Sequence, residues 1–293
     1  MIQLQQPAAA LHLKAGYPRA LMAGGHLSRF QGRGIEFDEV RPYQPGDDIR
    51  SMDWRVTART GKPHTKLFRE ERERPALMLV DMRPAMFFAT RGALKSVIAA
   101  ECASLLAWSV MQQGDRIGSL VFGGERSTET QLARPVRGRR GVLRLLGNVI
   151  NHPNWKQRPQ AADESESLLM LLQRAFHAAR TGSMIIIVSD GRGMNDKAAS
   201  LLKRLLQHHT VVFILVYDAF EADMPAVGEL QASDGIQQRS IDTNSAKQRQ
   251  QHQVHFSTRR AYLKDLSRLP GFVLLECATH DDPFSVLQAS LGR

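Results

Sequence analysis

From Pro75 onward the chain alternates two kinds of apolar pattern. Short, nearly continuous runs recur: PALMLVD, DRIGSLVFGG, SMIIIVSDG, TVVFILVYD and FVLLEC. Each is too short for a helix and rich in branched residues, so each predicts a buried strand. TETQLARPV alternates more loosely and reads as an edge strand. Between them lie segments with helical spacing: Ala93–Met111, GVLRLLGNVI, SLLMLLQRAFHAAR, AASLLKRLLQHH and PFSVLQASLG, the last with Pro283 in its first turn. Continuous apolar strands separated by helices predict an α/β protein with a mostly parallel central sheet covered on both faces.

The pattern differs at both ends of this region. Residues 1–30 are weakly patterned, with Gly24-Gly25 as a break, and Gly32 to Glu73 is densely polar. Domains are therefore expected at 1–74, an N-terminal segment, and 75–293, the α/β domain. Met224 to Gln253 is polar, with Ser233-Asp234-Gly235 between GELQA and IQQRSI, and predicts a hairpin excursion. KQRQQHQ either starts a helix or stays mobile.

Charge refines this picture only locally. The formal net charge is +10, but Arg29–Arg74 holds 11 Lys/Arg against 9 Asp/Glu. The excess sits in Gly123–Arg158, with 8 basic and 2 acidic residues, and in Arg239–Lys264, with 6 and 1. Basic patches around Arg137–Arg140 and Arg259–Arg260 could meet nucleic acid, but no aromatics are interleaved for base stacking. Solvated surface is the expected role. The Ala93–Met111 helix carries Lys95, Glu101 and serines, so a core helix is expected rather than a membrane span. Cys102 and Cys277 lie in apolar runs without a CxxC, as free thiols of a cytoplasmic protein would.

Candidate chemistry is sparse. There is no GxxxxGK[ST], GxSxG or HExxH motif. Gly32-Arg33-Gly34 and Gly191-Arg192-Gly193 are GxG fragments that read as turns. His208-His209 are adjacent and point about 100° apart on a helix, which does not suit one metal. Acids remain at three strand ends: Asp81, Asp190 and Asp218. In doubly wound folds function gathers there. Asp81 and Asp190 could together hold Mg²⁺ in a hydrolase or an adhesion-type site.

The strand–Asp–loop–long helix order of VDMRPAM, with IIIVSDG later, resembles the von Willebrand factor type A fold. That resemblance implies a metal loop of the form D-x-S-x-S, helped by a Thr and a second Asp. Here the loop reads Asp81-Met82-Arg83-Pro84-Ala85, and the matching RPVRGRRG loop contains no Thr. Arg83 and Ala85 stand at the two Ser positions and cannot offer hydroxyl ligands. A degenerate site is expected, with no resident metal, in which the Arg83 guanidinium bridges Asp81 and Asp190. The plainer alternative leaves Arg83 facing solvent and the acids capping their loops.

The polar segment is more specific. GRGIEFDEVRPYQPGDDIRSMDWRVTAR resembles the signature of a bacterial family called domain of unknown function fifty-eight, through Gly34, Glu36, Phe37, Arg41, Tyr43, Pro45, Gly46, Asp47, Asp48, Arg50, Asp53, Trp54, Ala58 and Arg59. The resemblance covers about residues 30 to 125. It implies a von Willebrand A-like domain, no established enzymatic activity, and an adaptor or co-chaperone role beside a MoxR-type AAA+ ATPase and other von Willebrand A proteins. Many members have two N-terminal membrane helices, and this chain has none, so a soluble form is expected. Pro45-Gly46 suits a type II turn. Trp54 is expected to anchor the segment, and its acids and arginines to pair mutually. Asp53, Trp54 and Arg59 are read mainly as a brace. Asp47, Asp48 and Arg50 serve equally as brace or partner surface. Carboxylates among arginines are held ionised, which disfavours acid–base catalysis.

Overall fold

A computed structural model describes residues 1–11, 35–70, 75–123, 131–156, 167–233 and 238–291. In chain order these form β1 (Ile35–Pro42), α1 (Trp54–Thr60), β2 (His64–Glu70), β3 (Ala76–Asp81), α2 (Lys95–Gln112), β4 (Arg116–Phe122), β5 (Gln131–Arg137), α3 (Arg139–Ile150), α4 (Leu168–Ala178), β6 (Met184–Ser189), α5 (Asp196–Leu206), β7 (Thr210–Tyr217), α6 (Ala219–Ala222), β8 (Glu229–Ser233), β9 (Gln238–Asp242), α7 (Ala246–Leu266), β10 (Phe272–Ala278) and α8 (Pro283–Leu291). The chain divides into two units, Arg19–Glu73 and Met1–Pro18 with Arg74–Arg293.

The larger unit is built on one six-stranded sheet in the order β10-β7-β6-β3-β4-β5. All neighbours are parallel except β5, which runs antiparallel to β4 at the edge. Pro135 in β5 fits that edge position, since proline cannot donate to a ladder. This is the α/β architecture expected from the strand–helix alternation.

Strand periodicity decides which face each residue serves. In β3, Ala76, Met78 and Val80 enter one core while Leu77 and Leu79 enter the other. β6 and β7 divide the same way: Ile186 and Ile214 face the first core, Ile187 and Phe213 the second. Helices α2, α3 and α8 cover the first face; α4, α5 and α7 cover the second. Each fully buried Val, Leu or Ile side chain contributes roughly 1.5–3 kcal/mol.

Helix α2 is buried almost all round, because a second layer lies on it. Residues 1–11 fold into two short 3-10 turns against it. The Ser109 hydroxyl donates to Leu11 O at 2.7 Å, and Trp108 Nε1 donates to Met1 O at 3.3 Å. The grouping of residues 1–74 read from the sequence is therefore corrected at its start: the first eleven residues pack with the α/β unit. Apolar Ala8 and Leu11, both buried, are the physical reason.

The polar excursion forms the β8–β9 hairpin; its Asp234-Gly235 turn lies outside the described residues, as do Gly24-Gly25 and Gly32-Arg33-Gly34. KQRQQHQ resolves as the start of the 21-residue α7. Gly191 and Gly193 have φ of 72° and 89°, as turn glycines do. Cys102 and Cys277 are free and buried. Among the described residues, no helix is long and apolar enough to cross a membrane.

Candidate functional site

The sheet order reverses between β3 and β6, so their C-terminal ends form the crevice where such folds place their sites. Asp81 ends β3 and Asp190 directly follows β6. Both are fully buried. Two buried carboxylates side by side need compensation, and the chain supplies it from four cations.

Arg83 serves Asp81. Its Nε and backbone N–H each donate to Asp81 Oδ1 at 3.0 Å, and its Nη2 donates to Oδ2 at 2.7 Å. The Ser189 hydroxyl completes Asp81 at 2.6 Å. The same Nη2 lies 3.6 Å from Asp190 Oδ1 and donates to Arg192 O at 3.0 Å, so one guanidinium spans the crevice. Its place depends on close backbone packing. The Asn154 amide donates to both Met82 O and Gly123 O, and Gly123 leaves no room for a Cβ against Met82 and Arg83.

Lys95 serves Asp190. It opens α2 and is wholly buried, with Nζ 3.0 Å from Asp190 Oδ2 and 3.1 Å from both oxygens of Glu221. Arg192 adds Nε at 3.2 Å from Asp190 and Nη2 at 3.0 Å from Glu221. Arg259 Nη2 lies 3.2 Å from Glu221. Burial by itself would raise the Asp190 carboxyl, but Lys95, Arg83, Arg192 and Arg259 together hold it well below the usual carboxylate range. Glu221 follows the same logic: burial raises it, and Lys95, against the opposition of Asp190, leads Arg259 and Arg192 in lowering it.

The third strand-end acid, Asp218, is set apart from this cluster. It accepts from Thr90 N and Oγ1, Thr279 Oγ1 and Phe220 N, and forms a capping box with Glu221. Hydroxyl groups thus reach two strand-end acids, Ser189 at Asp81 and Thr90 with Thr279 at Asp218. RPVRGRRG lies instead in β5 and the start of α3, at the sheet edge.

These residues do not fit a divalent cation. The carboxylate oxygens of Asp81 and Asp190 already face Arg83, Lys95 and Arg192. Among the described residues, no three His, Cys, Asp or Glu side chains gather as ligands. Ala85 sits in the 3-10 turn Pro84–Met86 with no part in the network. The sequence reading brought Asp81, Arg83 and Asp190 together but missed Lys95, Arg192, Glu221 and Arg259. Lys95 carried a usable signal: the one cation of a mostly apolar helix must be paired if buried. Glu221 carried another, three residues after the strand-end Asp218 in a capping-box spacing.

In the smaller unit β1 and β2 pair antiparallel, and the signature residues Tyr43 to Arg59 lie in the connection between them, which contains α1. Gln44-Pro45-Gly46-Asp47 closes a turn, with Asp47 N donating to Gln44 O at 3.0 Å and Gly46 at φ 107°, as a type II turn requires. Asp47 locks that turn: it accepts from Gln44 N at 2.9 Å and Arg41 at 2.7 Å, and these two contacts lower its carboxyl. Asp48 caps the next short turn through Arg50 N. Asp53 is the N-cap of α1, accepting from Arg55 N and Val56 N, and lies 3.7 Å from Lys66. Tyr43 N is bonded to Pro63 O.

Two expectations for this unit are corrected. Trp54 does not anchor it: the ring is 67% exposed, beside Ile49 at 62%. Trp54 is the first residue of α1, a helix of only two turns in which no residue is buried. Mutual pairing is limited to Arg41–Asp47 and Lys66–Asp53 among the described residues, and Arg50 and Arg59 join no ion pair there. The acids are spent on backbone N–H groups instead.

The basic stretches also divide. Arg137, Arg139 and Arg140 are exposed. The Arg259–Arg260 patch is not a solvated surface: Arg259 is buried against Glu221, and Arg260 Nε donates to Glu276 at 2.9 Å.

The family described as "Protein of unknown function DUF58" matches residues 39–262. The uncharacterized protein Rv1480 of Mycobacterium tuberculosis is 31% identical over 227 residues, 76% of this chain and 68% of that protein. The uncharacterized protein Mb1516 of Mycobacterium bovis shows the same identity and coverage. Among solved structures, the conserved hypothetical protein BatB from Bacteroides thetaiotaomicron aligns with a TM-score of 0.42 at 13% identity, over 75% of this chain and 96% of its own. A von Willebrand factor type A protein from Catenulispora acidiphila aligns with a TM-score of 0.40 at 11% identity, over 77% of this chain and 42% of its own.

Proposed function

This chain belongs to the DUF58 family, and from that premise we propose that it is a non-enzymatic protein-interaction module, an adaptor that works beside a MoxR-type AAA+ ATPase. The observation that carries this reading is the state of the crevice. Asp81, Asp190 and Glu221 are each held by the protein's own cations. Asp190 and Glu221, held below their ordinary range by these cations, have no proton to give near neutrality and little basicity to take one, so they suit neither half of acid–base catalysis. The network instead fixes the loops after β3, β6 and β7 in one geometry, as a recognition surface requires.

The smaller unit supplies an anchor for such a role. Its acids brace turns and a helix start, while Ile49 and Trp54 remain exposed. Tryptophan is among the residue types most enriched in the hot spots of protein interfaces. The test is affinity capture with the full chain as bait and a purified MoxR-type ATPase as prey. Wild type should retain the ATPase, and Trp54→Ala should lose most of it. Failure of wild type to retain the ATPase at micromolar concentration removes the proposal.

A further inference from the structure

Beside the ion-pair cluster, α7 and the loop after β6 enclose a cleft of about 430 Å³. Arg192, Arg259, His252 and His255 line it, together with Gly193 and Glu221. We propose that this cleft is a binding site for a phosphate-class oxyanion, free or as the phosphoryl group of a small molecule.

Unsatisfied buried donors carry the argument. Arg259 is only 8% exposed, yet its Nε and Nη2 have no hydrogen-bond partner. Nη2 has the charge of Glu221 at 3.2 Å without hydrogen-bond alignment, and the guanidinium carbon sits 4.9 Å from the centre of the Phe256 ring. A buried guanidinium with idle donors keeps the desolvation cost of each group left unmade. His252 repeats the pattern, with its Nδ1 buried and unpartnered. Arg259 and His252, two turns apart on α7, both line this cleft and both carry unpartnered polar atoms.

Charge points the same way. The ion-paired cluster holds three carboxylates, Asp81, Asp190 and Glu221, against four cations, Arg83, Lys95, Arg192 and Arg259. Two of those cations, Arg192 and Arg259, line the cleft. Glu221 does not cancel the attraction, because Oε1 already faces Lys95, Arg192 and Arg259, and Oε2 faces Lys95 and the Asp218 N–H. Guanidinium groups match phosphate oxygens in geometry and charge, and an imidazole that gains a proton can meet the second charge of a phosphate dianion. The cleft is larger than one phosphate ion, which leaves space for an attached small group.

The test uses the full chain, with calorimetry and thermal melting at matched ionic strength. Inorganic phosphate and glycerol phosphate are the two arms, and chloride is the control. Saturable binding is expected in at least one arm, with a raised melting midpoint that chloride does not reproduce. Tighter binding of glycerol phosphate identifies a phosphorylated small molecule as the source; tighter binding of phosphate identifies the free ion. Arg259→Gln should weaken Kd at least tenfold. Because Arg259 is buried, His255→Glu serves beside it: His255 is exposed, so that variant keeps the fold while placing a negative charge at the mouth, and should also weaken Kd at least tenfold. Absence of saturable heat in both arms, or unchanged affinity in His255→Glu, overturns the proposal.

Discussion

Lys95 Nζ lies 3.0 Å from Asp190 Oδ2, with neither side chain exposed to solvent. A charge so buried is retained only while its partner is present. Lys95→Met keeps the length of the side chain and removes the charge, leaving Asp190 and Glu221 short of a cation. The expected loss is about 3–5 kcal/mol of unfolding free energy, the range for breaking one partner out of a buried pair. Adding Glu221→Gln removes one stranded carboxylate, so the double variant should lose less than the sum of the two single changes. Urea denaturation measures both. A loss below about 1 kcal/mol in Lys95→Met would mean that the lysine carries no weight in this core.

The same network fixes how stability responds to acid. Asp190 and Glu221 have folded-state values lowered below their ordinary ones. Their contribution is therefore complete above the unfolded-state range, about pH 4, and is lost as pH falls through the folded values. His209 and His252 are lowered as well, chiefly by burial, so the unfolded state binds their protons first and an earlier decline begins below about pH 6.5. The urea midpoint should thus fall in two stages between pH 7 and pH 2. In Lys95→Met the lower stage should flatten and the upper stage persist; a lower stage of unchanged steepness would separate Lys95 from the acid response.

Much of this was legible in the chain because strand burial leaves a strong mark. MIIIVS and TVVFILVY cannot be anything but buried strands, and their parallel pairing follows from the helices between them. Asp81 and Asp190 were legible because strand ends are where such folds expose chemistry. The partners of Lys95 and Glu221 were not, since they are set by where α2 and α6 start in space rather than by any spacing between residues 95, 190 and 221. Trp54 was misread for a related reason. An aromatic among charges suggests an anchor, but only tertiary packing decides whether a surface exists to receive it. Arg259 shows the reverse: it sits in a run that composition marks as a basic surface, and packing of α7 buries it.

Gly123 and Asn154 set the loop that carries Arg83. A Cβ on Gly123 would stand 2.3 Å from Arg83 N and from Met82 C, backbone atoms with nowhere to go, and φ is already +124°. Gly123→Ala should cost about 2–4 kcal/mol, combining backbone strain with overpacking. Asn154→Ala leaves Met82 O and Gly123 O without their shared donor and should cost about 1–3 kcal/mol. Chemical denaturation gives the ranking, and a Gly123→Ala variant as stable as wild type would show that this loop has freedom to shift.

Exposure of Trp54 separates binding from stability. Trp54→Ala removes a ring that its own unit leaves mostly uncovered, so the melting midpoint should stay within the scatter of surface substitutions, about ±0.5 kcal/mol. Asp53→Ala acts differently, because its carboxylate caps two N–H groups of α1. That variant should speed amide exchange at Arg55 and Val56 while leaving the sheet untouched. Strong global destabilisation by Trp54→Ala would return the ring to a bracing role.

Divalent metal should be indifferent to this crevice. Mg²⁺ demands six oxygens at 2.0–2.1 Å in near-octahedral order. Here Asp81 spends both oxygens on Arg83 and Ser189, and Asp190 spends its own on Lys95, Arg192 and the Arg192 N–H. An incoming dication would also face the four cations of the cluster. Titrating Mg²⁺ or Mn²⁺ into the protein should give no heat beyond dilution and no change in melting. The combined change Arg83→Ser and Ala85→Ser restores hydroxyls at both loop positions yet leaves Lys95 Nζ against Asp190, so it should remain silent too. Binding in that double variant would show that Arg83 alone excludes the ion, and binding in wild type would show that the salt bridges yield to metal.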